Sequence, residues 1–378
     1  MNAKNYPPPQ YLLSLHTLID ALDEVFVNRT IEIEMMATAL VAEENVVLVG
    51  PAGTGKSMLS KCFASAINGQ FFQCLLGRFT TPDELLGHFS LKEMKDNDEY
   101  KRKLKNKLPD AQIGYLDECF KASTALQNSL LTILNEREVD LGNGTRIKAN
   151  IEMVIGSSNE YPMEKELAAL WDRWVFRRHT GLCRKFNDVF RIMTDPNLGK
   201  CNAKLAMSDL QKIRADRDLV DITSITDELR QLHAYCRQKE LHVSDRRWAK
   251  VAKVIRSRAA MDGRKQATAK DLRILAEVLW NKPEQRDELN GFLANLCSSE
   301  LQEAMRLFDA AKEIVSKIDW DDVCIPTLQP ANKKVKEIIT QLAELEAKSS
   351  EPEIATYLSE VKDAKRTIEA NLQKLILG

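Results

Sequence analysis

The sequence predicts an α/β fold in its first half, a parallel sheet with helices on both faces, followed by regions made of helices alone. Three observations support this prediction. Strand-like runs alternate with helical segments up to about residue 184, a glycine-rich loop directly follows the first such run, and strand signals are nearly absent afterwards. Alternation of this kind is typical of βαβ units, whose strands are parallel. The 378 residues are enough for two or three domains.

Helical periodicity opens the chain. Apolar residues recur at helical spacing over residues 11–43, which predicts two helices separated by Val27-Asn28-Arg29. Further helices are expected at 57–68 and 123–136. The predicted strands are 45–49, 70–75, 113–116 and 151–156.

Two insertions interrupt the alternation of strands and helices. The first, at about 87–107, is highly charged, with seven Lys or Arg against four Asp or Glu between Lys92 and Lys107. The second, at about 137–150, has the pattern of a hairpin that turns at Gly142-Asn143-Gly144. With these insertions, residues 1–184 form the predicted α/β domain.

The rest of the chain is predicted to be helical. Residues 185–285 are expected to form an all-helical domain, with helices at 229–237, 246–261 and 268–280. Residues 286–378 are expected to form a helical extension with helices at 301–318, 332–348 and 353–377, separated by 319–330 and 349–352. Isolated, charged helices of this kind usually serve assembly or partner contact.

Composition narrows the class of protein. A hydrophobic content of 44% with 29% charged residues is ordinary for a globular protein, and the net charge of −1 gives no global attraction to nucleic acid or an anionic membrane. No run approaches the roughly 18 apolar residues that span a bilayer, and the N-terminus lacks an apolar signal core, so we expect a cytoplasmic protein. The eight cysteines form no C-x-x-C pair, which favours reduced thiols over a zinc site.

The glycine-rich loop behind the first strand has the spacing G-x-x-x-x-G-K-[ST]. Glycines let the backbone curl around an anion, so that successive N–H groups point at the phosphates of a nucleotide. The lysine can reach the β and γ phosphates, and the serine hydroxyl can ligate Mg²⁺. The sequence therefore predicts an ATP/ADP and Mg²⁺ site built on Gly50, Pro51, Ala52, Gly53, Thr54, Gly55, Lys56 and Ser57.

Polar side chains follow two other predicted strands. Asp117 and Glu118 come directly after the third strand, and Asn159 follows the fourth. Ligands of parallel sheets bind at the carboxyl ends of the strands. We therefore expect Asp117 to support Mg²⁺, Glu118 to act as base or orienter for the attacking water, and Asn159 to hold that water, although Asn159 also suits a helix N-cap.

These motifs, taken in order, resemble a known family. GPAGTGKS, IGYLDE, IGSSNE, LAALWDRW and VSDRRW resemble the AAA+ ATPases, specifically the MoxR branch and its RavA-like subgroup, over about residues 11–280. The fold that the resemblance implies is an α/β P-loop AAA+ core, an all-α lid and, here, a helical C-terminal extension. RavA-like proteins carry a compact β-rich module in that extension, whereas residues 290–378 of this chain show helical patterns alone.

The resemblance implies roles for further residues. Asn159 matches the sensor-one residue, and Arg173 matches the arginine finger that reaches the γ phosphate bound by a neighbouring subunit, although an ion pair with Asp172 is the alternative. Arg246 matches the sensor-two residue, which comes from the lid onto the same phosphate, with the adjacent Arg247 left open. Val27, Arg29 and Met58 match positions around the nucleotide.

The resemblance also implies a ring, expected to be a hexamer, which uses ATP hydrolysis to remodel a protein partner such as a von Willebrand A-domain protein. The two insertions would face the pore or the client. Two alternatives stay open. One is a motor acting on nucleic acid, for which Lys92 to Lys107 and Arg177-Arg178-His179 are the only basic patches; the other is a nucleotide-gated scaffold that recruits partners through its terminal helices.

Overall fold

The computed structural model describes residues 8–141, 144–162, 167–297, 299–318, 325–349 and 352–377. The chain groups into two units, residues 1–286 and 287–378. Three predicted connections fall in part outside the described residues: Gly142 and Asn143 of the hairpin turn, 319–324 and 350–351. None of the described helices combines the length and the apolar character that a membrane crossing requires.

A five-stranded parallel sheet forms the core of the first unit. In chain order its strands are β1 (Val46–Val49), β2 (Phe71–Leu75), β3 (Ile113–Asp117), β6 (Met153–Ser158) and β7 (Phe176–His179), and their spatial order is β2-β3-β6-β1-β7. Two further strands, β4 (Glu138–Asp140) and β5 (Arg146–Lys148), pair antiparallel in the second insertion. The central strands are buried along nearly their whole length, as expected for a sheet covered on both faces.

The register brings three strand ends to one edge of the sheet. Val49, the last residue of β1, pairs with Ser158 of β6. Leu116 of β3 pairs with Gly156, so Asp117 also ends at this edge. The polar residues that follow these strands in sequence therefore lie close together in space.

Helices cover the sheet and build the rest of the first unit. Before the first strand come α1 (Gln10–Val25) and α2 (Thr30–Ala42), and α3 (Lys56–Ala66) follows the glycine-rich loop. The others are α4 (Pro82–Leu86), α5 (Leu91–Asp96), α6 (Thr124–Glu136), α7 (Ala168–Arg173), α8 (Phe186–Thr194), α9 (Met207–Asp218), α10 (Thr226–Gln238) and α11 (Asp245–Met261). The helix predicted at 268–280 is a 3₁₀ helix, Ala269–Glu277, opened by a capping box between Thr268 and Asp271.

The first insertion is closed at its base. An antiparallel bridge joins Phe89 to Arg102, and the Arg102 guanidinium lies 4.2 Å from the centroid of the Phe89 ring. Arg102 also pairs with Asp83 at 2.5 Å. Arg102, one of the cations of the charged segment, therefore holds the insertion to the core.

The edge strand β7 was not predicted. Its four residues, Phe176 to His179, lack the apolar run that marks the other strands, because two arginines follow the phenylalanine. In the structure β7 pairs with β1 along its length, from Val46↔Phe176 to Val49↔His179. The four predicted strands are all present, and the fifth was missed because its two arginines have polar partners inside the fold and so do not need solvent.

The second unit is a bundle of long helices. It contains the end of α12 (Pro283–Cys297), which begins in the first unit, together with α13 (Ser299–Ser316), α14 (Ile325–Lys348) and α15 (Pro352–Leu377). The last three pack on one another around a shared apolar core that includes Phe308, Val335, Leu342, Leu358 and Ile368. The expectation of isolated helices was wrong, since the helices bury their apolar faces against each other.

Candidate functional site

The glycine-rich loop leaves β1 at the carboxyl edge of the sheet. Gly50 donates its N–H to the Ser158 carbonyl at 3.1 Å, and a Cβ on Gly50 would lie 2.2 Å from the Thr180 carbonyl oxygen, so only glycine fits there. Gly55, at φ +84°, takes the left-handed conformation that starts α3. The loop is thus held between β6 and the segment after β7, with the N-terminus of α3 pointing into it.

Lys56 lies at the centre of this loop. Its Nζ donates to the carbonyls of Gly50 at 2.7 Å and Pro51 at 2.9 Å, and to Asn159 Oδ1 at 3.3 Å. Burial is the largest influence on its pKa and lowers it, while the charges of Asp117 and Glu118 act in the opposite direction. The ammonium is therefore partly desolvated and sits beside two carboxylates, which suits a group that must bind phosphate oxygens.

Glu118 and Asn159 are joined directly. Asn159 Nδ2 donates to Glu118 Oε1 at 2.6 Å, and Lys121 Nζ lies 3.2 Å from the other carboxylate oxygen of Glu118. The backbone of Glu118 has φ +53°, a left-handed conformation that is uncommon for residues other than glycine. The structure thus brings together Lys56, Glu118 and Asn159, which the sequence alone had placed on separate elements.

A chain of hydroxyl groups connects the two residues expected to ligate Mg²⁺. The Oη of Tyr115 lies 2.8 Å from Ser57 Oγ and 2.8 Å from Ser157 Oγ. Ser157 donates in turn to Asp117 Oδ1 at 2.5 Å. Burial raises the pKa of Tyr115 to about 12, so its hydroxyl keeps its proton at neutral pH. Sequence reasoning missed Tyr115 and Ser157.

The donor atoms at this place fit a magnesium ion. Ser57 and Asp117 offer a hydroxyl and a carboxylate, the hard oxygen ligands that Mg²⁺ prefers, and protein sites for this ion usually supply only one or two such groups. Both side chains belong to one network, in which three hydrogen bonds lead from the Ser57 hydroxyl to the Asp117 carboxylate. Ser57 and Asp117 are the residues that would hold the ion.

An apolar cavity of about 340 Å³ lies behind the loop. Val27, Arg29 and Met58, which the family resemblance had assigned to the nucleotide, all line it. Its other apolar wall comes from the segment around α8, which sequence reasoning did not connect with the site: Leu182, Val189, Ile192 and Leu198. An apolar cavity next to a phosphate-binding loop fits the flat, apolar face of a nucleotide base.

Arg29 acts on the loop itself. Its guanidinium is buried, and Nη2 donates to the carbonyls of Thr54 at 2.9 Å and Gly181 at 2.8 Å. The loop is thereby tied to the segment that follows β7. Arg29 lines the cavity but has its Nη2 hydrogens engaged with the backbone.

Arg173 lies at the amino ends of the strands, opposite to the ends that carry the phosphate loop. It closes α7, three residues before β7 begins at Phe176, whose partner Val46 is the first residue of β1. The phosphate loop follows Val49, the last residue of β1, and a four-residue strand spans about 10 Å. Arg173 donates to the Ala169 carbonyl at 2.7 Å.

The neighbouring arginines 246 and 247 have different environments. Arg247 is 2% exposed and its Nη2 lies 2.9 Å from Asp172 Oδ1, so Asp172 pairs with Arg247 instead of Arg173. Arg246 is exposed. Burial of Arg173 lowers the pKa of that residue, and the nearby charge of Arg246 lowers it further. The structure places Arg246 near Arg173, the residue that the resemblance implied would act on the same phosphate. The reason is local: Ser244, which caps α11, lies 3.4 Å from Asp172.

The two arginines of the candidate basic patch on β7 do not form an exposed surface. Arg177 is fully buried, and Arg178 pairs with Glu277 at 2.9 Å and lies 3.7 Å from Glu32. Both side chains serve internal contacts. One of the two basic patches that would support a nucleic-acid motor is therefore absent.

Comparisons with known proteins agree with this geometry. Residues 13–191 match the family model of the MoxR domain found in MoxR-vWA-beta-propeller ternary systems, and residues 221–293 match that of an AAA lid domain. An uncharacterized protein of Methanocaldococcus jannaschii is 32% identical over 361 residues, covering 94% of this chain and 93% of the relative. A second uncharacterized protein of the same organism is 32% identical over 310 residues, covering 82% and 81%.

A solved structure shows the same fold. It is that of a candidate ATPase from Cytophaga hutchinsonii, which superposes with a TM-score of 0.59 at 17% identity and covers 76% of this chain and 94% of that chain. A phosphate loop on a parallel sheet, followed by a helical lid, defines the AAA+ class of P-loop proteins. Within that class, the chain belongs to the MoxR family of AAA+ ATPases.

Proposed function

We propose that the protein hydrolyses ATP with Mg²⁺ and acts as a cytoplasmic, ring-forming ATPase that remodels a protein partner. The observation that carries the hydrolytic part is the contact between three groups at one edge of the sheet. Lys56 Nζ donates to Asn159 at 3.3 Å, and Asn159 donates to Glu118 at 2.6 Å. A phosphate-binding cation, a carboxylate and an amide that orients it are the groups that water attack on a phosphoryl group requires.

The residues divide the work as their chemistry suggests. The N–H groups of the loop and Lys56 hold the phosphates, and the apolar cavity holds the base. Glu118 orients water and accepts its proton, while Asn159 fixes the carboxylate through the hydrogen bond to Oε1. Mg²⁺, held by Ser57 and Asp117, supplies positive charge next to the phosphate oxygens when it is bound.

Two substitutions test the proposed chemistry. We expect Lys56→Ala to lose most of the affinity for ATP, because it removes the buried cation of the loop, and Glu118→Gln to bind ATP while hydrolysing it at least about 100-fold more slowly. Affinity is measured with a fluorescent ATP analogue, and hydrolysis by phosphate release. Lys61→Ala, on the exposed side of the same helix, is the control and should behave as wild type. Normal hydrolysis by Glu118→Gln would contradict the assignment.

We further propose that Arg173 and Arg246 act together on the nucleotide of a neighbouring subunit. Arg173 lies at the amino edge of the sheet, away from the phosphate loop of its own chain, and Arg246 lies beside it. The Nε of Arg173 has no hydrogen-bond partner among the described residues. Two cations on a face remote from the loop are suited to complete a second copy's site, and a hexameric ring is the arrangement we expect.

The partner is proposed to be a von Willebrand A-domain protein. The support is the family model that matches residues 13–191, which is named for MoxR-vWA-beta-propeller ternary systems. The RavA-like subgroup and partner recruitment by the helices of the second unit stay predictions. The Glu118→Gln variant is the suitable bait for capturing the partner, since we expect it to retain ATP.

A further inference from the structure

Tyr115 occupies an unusual place between the two proposed metal ligands. Its side chain is 1% exposed, and its hydroxyl lies 2.8 Å from Ser57 on the phosphate loop and 2.8 Å from Ser157 on the neighbouring strand. Ser157 donates to Asp117. Ser57 and Asp117, which come from different elements, are therefore connected through two intervening hydroxyl groups.

The register of the sheet explains why these groups meet. Tyr115 of β3 pairs with Ile155 of β6, so Ser157, two residues further along β6, lies on the same face of the sheet and one step closer to the carboxyl edge. α3 contacts both β3 and β6, which brings Ser57 over this face. A phenylalanine at position 115 would have nearly the same shape but would leave Ser57 and Ser157 without this partner.

We propose that Tyr115 is a positioning residue of the magnesium site, one that fixes the Ser57 hydroxyl and, through Ser157, the Asp117 carboxylate before the ion arrives. Asp117 can only accept hydrogen bonds, so the orientation of each hydroxyl in the chain depends on its neighbour. Mg²⁺ demands near-ideal geometry from few protein ligands, and oxygens held in advance lose less freedom when it binds. This inference rests on the proposed ATPase function.

The test is the Mg²⁺ dependence of nucleotide binding, which requires no turnover. A fluorescent ATP analogue is titrated into wild type and Tyr115→Phe, first with EDTA and then at rising Mg²⁺ concentrations. We expect unchanged affinity in EDTA, because the loop and the cavity are intact. The Mg²⁺ concentration that gives half of the gain in affinity should rise about five-fold, the usual effect of one lost hydrogen bond.

A second variant and a matched control complete the design. Ser157→Ala breaks the same chain on the Asp117 side, so we expect a similar shift and a double variant that shifts little more than either single one. Tyr11→Phe removes a tyrosine hydrogen bond to Asp216, far along the chain from the site, and should leave the Mg²⁺ titration unchanged. Thermal melting without ligands reports any purely structural effect.

The outcomes separate the two proposals. If Tyr115→Phe and Ser157→Ala lower the melting temperature but move the Mg²⁺ titration by less than about two-fold, the positioning role is overturned and Tyr115 merely packs. If wild type itself fails to bind the analogue, or binds it without regard to Mg²⁺, the proposed ATPase function is overturned first.

Discussion

Two adjacent arginines carry out different tasks at the start of α11. Arg247 is buried, and its guanidinium donates to Asp172 and to the carbonyls of Val175 at 3.2 Å and Val278 at 2.8 Å. Arg246 points to solvent next to Arg173. The first holds the helix to the core, while the second is available to another molecule.

Substituting each arginine separates stability from activity. Arg247→Ala should lower the free energy of unfolding by about 3 kcal/mol, because it leaves a carboxylate and buried carbonyls without their cation. Arg246→Ala should change it by no more than about 0.5 kcal/mol, as at other exposed positions, while lowering ATP hydrolysis. Urea unfolding and phosphate release measure the two effects. Equal stability of the two variants would show that Arg247 is not structural.

The site residues that sequence reasoning found all belong to contiguous motifs. The spacing of the loop identifies Lys56, and the position directly after a predicted strand identifies Glu118 and Asn159. Tyr115 and Ser157 could not be found in this way, because their contact depends on the register between two strands that are about forty residues apart in sequence. The only available signal was a tyrosine inside a buried strand, whose hydroxyl needs a polar partner.

At the scale of elements, the end of α2 is joined to both α9 and α11 through one carboxylate. Glu43 lies 2.7 Å from Lys253 on α11 and 2.8 Å from Arg217 on α9. Burial alone would raise its pKa. The hydrogen bond and charge of Lys253, with the charge of Arg214 and the hydrogen bond of Arg217, outweigh this and lower the pKa of Glu43 from 4.5 to about 2.

This carboxylate should make stability depend on acid pH. Because the pKa of Glu43 is lower in the folded protein, its contribution is complete above about pH 4.5 and is lost as the pH falls toward about 2. Wild type should therefore be more stable than Glu43→Gln at neutral pH, with a gap that narrows below about pH 4.5. Urea unfolding at several pH values measures the gap, and Glu24→Gln, at an exposed position of α1, is the control. A gap independent of pH would contradict the assignment.

The elements that were predicted imperfectly have local reasons. β7 was missed because Arg177 and Arg178 interrupt the apolar run by which a buried strand is recognised in a sequence. The helix predicted at 332–348 begins earlier, at Ile325, with Pro330 inside its second turn, although proline disfavours a helix interior. Apolar contacts that include Leu328 and Val335 outweigh that local preference, and single-sequence periodicity does not show such partners.

At the scale of the whole molecule, the opposite placement of Lys56 and Arg173 makes a prediction about mixtures. Arg173→Ala alone should lower hydrolysis by about 10³-fold or more, as arginine fingers do, and Lys56→Ala alone should also be inactive. If each site is shared between neighbours, mixing the two inactive variants in equal amounts recreates intact sites. Random mixing within a ring should restore about a quarter of wild-type activity.

The result is read from phosphate release after the two variants have exchanged subunits. A mixture of Lys56→Ala with Lys56→Ala/Arg173→Ala contains no intact pair and is the control for adventitious activity. Since each chain keeps only one of the two groups, a site completed within one chain would stay inactive in every mixture. No recovery after proven exchange of subunits would therefore exclude the shared site.

The buried cation of the edge strand has a mechanical consequence. Arg177 donates to the carbonyl of Trp280 at 2.5 Å and to Asn281 at 2.9 Å, while its other nitrogens donate to Trp174 and Trp171 beside Arg173. A swing of the lid against the sheet would have to break these bonds, and those to the three tryptophan carbonyls are buried, where no water replaces them. Arg177 therefore links the lid segment to the end of α7, and a displacement of the lid segment should move the end of α7 with it.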